Sequence, residues 1–155
     1  MIYIAHRGNI RGPNPERENS PDYIDEAIQS GYYAEVDVRM DAIPGRFVMG
    51  HDHGTHVLTR QWFEDRRGHL FIHAKDLATY TYFLYDALKW NVFWHQRDSY
   101  TLTSAGQIWA YPGSVLNEKC ICVMPESVSY SRKQLSQCAG ICSDLVESYQ
   151  WEYGT

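Results

Sequence analysis

The sequence predicts an α/β protein with a reduced (β/α)8, TIM-barrel-like architecture from which several outer helices are missing. Three observations predict it. Eight stretches read as short strands, at 2–5, 33–38, 70–73, 91–95, 100–103, 107–111, 120–124 and 140–143, which is the number a closed barrel needs. Helical periodicity separates some of them. The 155 residues suit one domain, 1–155, with a real core, but fall short of the roughly 200–250 residues of a full barrel.

Each element has a local reason. Residues 2–5 are apolar and run into His6-Arg7-Gly8. The stretch from Asn9 to Asn19 is too rich in Gly, Pro, Asn and charge to be core. Ser20 is placed to cap a helix with Pro21 in its first turn, and Tyr23, Ile24, Ala27 and Ile28 give it an apolar stripe that Gly31 ends. Residues 33–38 alternate as a strand, so Glu35 and Asp37, two apart, share a face. Pro44-Gly45 reads as a turn, 46–50 as a short strand ending at His51, and the residues around Asp52, Gly54 and Thr55 as loop. After the strand at 70–73, Asp76 starts a helix running to Leu88. Only Ser104 to Gly106 separates the strands at 100–103 and 107–111. Parallel neighbours need about a dozen connecting residues. One of the two therefore lies outside the barrel, or a pair is antiparallel, or an extended segment makes a crossover. A short helix at 131–137, the strand at 140–143 and a tail of helix and coil complete the chain.

Composition excludes several classes. A net charge of −5 and a pI near 5.7 argue against a nucleic-acid or anionic-membrane binder. No apolar run approaches the roughly 18 residues of a membrane span, and no leader-like block opens the chain, so a soluble, cytoplasmic protein is expected. The four cysteines, spaced C-x-C and C-x3-C, depart from the C-x2-C pairs of zinc sites and read as buried free thiols. A sheet short of helices leaves apolar surface bare, which predicts a homo-oligomer.

Four pieces carry the chemistry: His6-Arg7-Gly8, Glu18-Asn19-Ser20, Glu35-Val36-Asp37 and His51-Asp52. Their identity and order resemble the glycerophosphodiester phosphodiesterase family, over about the first third of the chain. The resemblance implies a phosphodiester hydrolase acting on a small phosphodiester. It makes His6 and His51 the acid–base pair, Glu35 and Asp37 ligands of a divalent metal (Mg, Ca or Mn), Arg7 a phosphate-binding group, and Glu18 and Asn19 supports. The family continues with Glu-x-Lys on its third strand, whose Glu is a metal ligand. Here the stretch is His73-Ala74-Lys75. Lys75 stays in pattern as a phosphate-binding residue. An imidazole at 73 removes a negative charge and favours softer ions, Zn among them. Either His73 is a ligand in a changed site or metal binding is weakened.

Other polar residues have two readings each. His95, at a strand end, is a supporting residue at the barrel mouth or a structural histidine. His53 and His56 either extend the site or are solvated loop residues, His69 is structural, and Trp109 and Tyr111 either line the mouth over a substrate or pack in the core. Asp144 is a barrel-closing residue, a cap or part of the site. Two functions follow: an active metal-assisted phosphodiesterase, or a weakened or inactive relative that binds a phosphorylated small molecule or protein partner.

Overall fold

The computed structural model describes residues 1–154. The elements are β1 (Ile2–His6), α1 (Pro21–Gln29), β2 (Tyr33–Met40), β3 (Arg46–Met49), β4 (His56–Thr59), α2 (Arg60–Arg66), β5 (Leu70–Ala74), α3 (Leu77–Leu84), β6 (Val92–Phe93), β7 (Tyr100–Leu102), β8 (Ile108–Ala110), β9 (Cys120–Val123), α4 (Arg132–Ser136), β10 (Gly140–Ser143) and α5 (Val146–Tyr153).

Among the described residues ten strands form one mixed sheet. Its spine is parallel, in the order β6-β5-β2-β1-β10-β9-β8. Two antiparallel additions complete it: the β3–β4 hairpin on the far end of β2, and β7 on β8. The sheet curls into an open half-barrel, which corrects the expected helix-flanked (β/α)8 barrel. The reason lies in the connections. The β7–β8 link is too short for a crossover, so those strands pair antiparallel. The link from β8 to β9 holds no helix, yet the two strands run parallel, so an extended segment makes that crossover. Helices of five to nine residues cannot build a complete outer ring. Ser104 N–H donates to the Val92 carbonyl at 2.8 Å, but among the described residues no ladder joins β6 to the opposite end of the sheet.

Two further differences are local. His56 begins β4 instead of sitting in a loop, and α2 follows it directly. Ser20 holds the N-cap position of α1 in extended conformation, but its side chain makes no capping bond. Asp76 does cap α3, accepting from Thr79 N–H at 2.7 Å. The helix of 131–137 is there as α4, closed by a capping box between Ser131 and Gln134.

Strand alternation divides the apolar residues between two layers. Ala34, Val36 and Val38 of β2 and Leu70, Ile72 and Ala74 of β5 face the convex side, where Ile24 of α1, Phe63 of α2 and Phe83 of α3 cover them. On the concave side Ile4, Phe71, Phe93, Trp109, Ile121 and Cys142 form a buried floor drawn from six strands. Two residues further along each strand, on the same face, stand His6, His73, His95, Tyr111, Val123 and Asp144. The floor therefore carries a polar layer at the carboxyl ends of the parallel strands, where α/β sheets bind ligands. All four cysteines are buried and free, and burial pushes the thiols of Cys122 and Cys138 up to about 12 and about 11.

Candidate active site

The site begins with a tight turn after β1. Arg7 and Asn19 both adopt left-handed backbone, φ 53° and 60°, and Asn19 N–H donates to the Arg7 carbonyl at 3.0 Å. Gly8 follows at φ 90°, and a Cβ there would stand 2.9 Å from the Tyr23 ring. The HRG turn thus packs against α1 too closely for any other residue. Non-glycine residues at positive φ are uncommon, and strain of this kind gathers at functional sites.

Asp37, 1 % exposed, is the electrostatic centre. Its Oδ2 lies 3.0 Å from Arg7 Nε and accepts from Asn19 Nδ2 at 3.1 Å. Its Oδ1 lies 3.0 Å from His73 Nδ1 and 3.2 Å from Lys75 Nζ. Burial alone would raise this carboxyl, but His73, Lys75 and Arg7 outweigh it and hold Asp37 well below the usual carboxylate range. Glu35, also buried, reaches His73 Nδ1 at 3.5 Å and His6 Nε2 at 3.9 Å. One ligand atom each from Glu35, Asp37 and His73 lies within 4.8 Å of the others, close enough to hold a metal ion.

His6 Nδ1 meets Asp144 Oδ1 at 2.7 Å, so the second ring nitrogen is the one directed at Glu35. Burial opposes charging this ring, but the Asp144 bond and Glu35 prevail and raise its pKa. Asp144 is lowered in turn: His6, Asn9 and Arg7 overcome its desolvation. Asn9 is completely buried, and its Nδ2 donates to Asp144 Oδ1 at 2.8 Å and Glu18 Oε1 at 2.9 Å. Glu18 Oε2 accepts from Arg7 Nη1 at 3.1 Å. One amide therefore ties the partner of His6 to the partner of Arg7. Glu126 Oε1 braces the far side, accepting from Ser143 Oγ and Asp144 N–H.

His6, Arg7, Glu35, His51, His73, Lys75 and His95 line a single cavity of about 340 Å³. Asp37 lies below it, and Glu18 and Asn19 stand behind Arg7 and Asp37. His51, half-exposed, sits on the loop after β3 with its Nδ1 2.6 Å from Asp52 Oδ1. Arg39 fixes this loop by donating to the carbonyls of Gly50 and His51, each at 2.7 Å. His95 stacks on Tyr111 with ring centroids 3.5 Å apart, and burial together with the charges of His73 and Lys75 lowers its pKa. His53, His56 and His69 do not line the cavity.

Sequence reading left four contributors unassigned. Asn9 stood in a polar loop, Arg39 carried no motif, Asp144 had three open readings, and Tyr111 stood between mouth and core until the structure put it in the cavity lining. Only Asp144 carried a usable signal, a carboxylate ending a strand. No family model matches the chain, and neither the curated proteins nor the solved structures searched contain a match.

Proposed function

We propose that this chain is a metal-assisted phosphodiester hydrolase acting on a small substrate of the glycerophosphodiester kind. One observation carries the reading. Glu35, Asp37 and His73 converge at the base of a cavity that three further histidines, His6, His51 and His95, and two cations also line.

The residues suit a divalent ion. Asp37 Oδ1 is buried and receives no aligned hydrogen bond despite its cationic neighbours. The donor set is two carboxylates and an imidazole, which favours Mn, Fe or Zn over Mg or Ca. A bound ion would offset the charge developing on a phosphate oxygen. The chain's own groups do the rest. His6, its tautomer set by Asp144, takes the proton of the attacking oxygen at Nε2. His51 donates a proton to the departing alkoxide as the P–O bond breaks. Arg7 sets Nε in ion-pair contact with Asp37 and donates Nη1 to Glu18, which leaves Nη2 for a phosphate oxygen. Lys75 supplies the second cation. Glu18, Asn19 and Asn9 hold this arrangement.

A second reading also has an observation behind it. His73, Lys75 and Arg7 already surround Asp37 within 3.2 Å, so the carboxylates could be neutralised by the protein and the cavity serve only to bind a phosphorylated ligand. The test is calorimetric titration with Mn, Zn, Mg and Ca, paired with release of alcohol from glycerophosphodiesters and bis-p-nitrophenyl phosphate. Metal binding with turnover that vanishes in His6→Ala and His51→Ala is expected. Turnover that survives both substitutions removes the assigned acid–base pair, and phosphate binding without turnover under any metal favours the binding module.

A further inference from the structure

The cavity has two unlike walls. One, from β1, β2 and β5, is charged and includes His6, Arg7, Glu35, His73 and Lys75. The other, from the ends of β8 and β9, presents Trp109, Tyr111, Pro112, Val123 and Met124. No charged side chain belongs to this second wall. Its polar atoms are also withdrawn. Tyr111 Oη and His95 Nδ1 are both buried without a partner, and burial, aided by nearby acids, pushes the Tyr111 phenol far above its ordinary range. With its hydroxyl buried, Tyr111 therefore presents ring carbon.

Met124 gives an independent indication. It adopts left-handed backbone, φ 47°, at the end of β9. A side chain in this conformation is strained relative to ordinary backbone. The conformation is held from both sides. Met124 N–H donates to the Cys142 carbonyl at 2.7 Å, and Ser127 donates to the Met124 carbonyl through both N–H and Oγ. Nothing in the turn requires methionine, and glycine would relieve the strain. What methionine adds is a flexible apolar side chain at the cavity wall.

We infer that this wall is a subsite for an apolar ester arm, so that the preferred ligand is a mixed phosphodiester. Its phosphate lies against Arg7 and Lys75, and a short alkyl or aryl arm lies on Tyr111, Pro112 and Met124. The inference rests on the phosphodiester reading of the cavity and names the class of substrate within it. The volume of about 340 Å³ admits a phosphate and an arm of a few carbons.

The probes are monoanionic methylphosphonate esters carrying a methyl, butyl, phenyl or glyceryl arm, titrated calorimetrically against the intact protein. The butyl and phenyl esters should bind on the order of tenfold more tightly than the methyl ester. That preference should collapse in Met124→Gly, which suits the backbone, and in Tyr111→Ala, with thermal melts confirming that both fold. Affinity for the glyceryl ester should hold in both variants. Binding of all four esters with equal affinity, or a preference that survives both substitutions, overturns the apolar subsite and leaves the phosphate site standing. Binding of none overturns the phosphodiester reading as well.

Discussion

At the residue scale, the proposed hydrolysis turns on Asp144 and His73. Asp144 orients His6 and raises its pKa, so Asp144→Asn removes both effects. Turnover should fall about 10²-fold, as expected when a general base loses its orienting partner. Because the carboxylate raises the His6 pKa, its loss lowers that value, and the ascending limb of the kcat/KM profile should move to lower pH. A profile of unchanged midpoint would show that Asp144 does not control His6. At residue 73, His73→Glu converts the donor set to three carboxylates. Calorimetry should then show affinity for Mg and Ca rising relative to Zn. An unchanged order of metals would remove His73 from the ligand set.

At the scale of elements, the convex side is held by a few buried aromatics and by a partly exposed ion pair. Phe63 of α2 packs on Phe47 and Phe83 with ring centroids 5.2 and 5.7 Å away. Phe63→Ala should cost about 3–5 kcal/mol in denaturant unfolding and detach α2 from the sheet. Asp86, just beyond α3, pairs with Arg60 of α2 and accepts from Leu88 N–H at 2.8 Å. Desolvation would raise the Asp86 carboxyl, but the Leu88 N–H and Arg60 lower it. A carboxyl depressed on folding adds stability above its unfolded pKa and loses it as pH falls through the folded value. Asp86→Asn should therefore cost about 1 kcal/mol at pH 7, with the difference from wild type closing as pH falls below the ordinary carboxylate range. A constant difference across that range would locate the effect in packing instead.

At the scale of the molecule, the open half-barrel leaves its outer surface unevenly covered. Helices cover β2 and β5, whereas over β7, β8 and β9 Leu102 and Val115 stay 62 % and 81 % exposed beside Ile108 and Leu116. The homo-oligomer expected from a bare sheet is checked by sedimentation velocity, where a clean monomer would remove it. No described helix is long and apolar enough to cross a membrane.

Glu35 and Asp37 were legible as one strand face because a period of two needs nothing beyond the sequence. The same rule placed Val36 and Val38 on the opposite face and delivered His6, His73 and His95 to strand ends. Local pattern therefore settled nine of the ten strands, β4 being the one read as loop, and the chemical groups at their ends. Closure was not legible, because it depends on whether β6 meets the far end of the sheet, and no local pattern encodes a pairing between strands so distant. Asn9 was hidden for a similar reason: its partners Glu18 and Asp144 lie 9 and 135 residues away, and a polar loop residue looks the same whether solvated or completely buried. That His73 Nδ1 faces the two carboxylates, that Asp144 meets His6, and that Tyr111 and Met124 wall the cavity emerges from the folded arrangement alone. Those are distances between side chains on different strands, set by how the sheet curls rather than by any one segment of the chain.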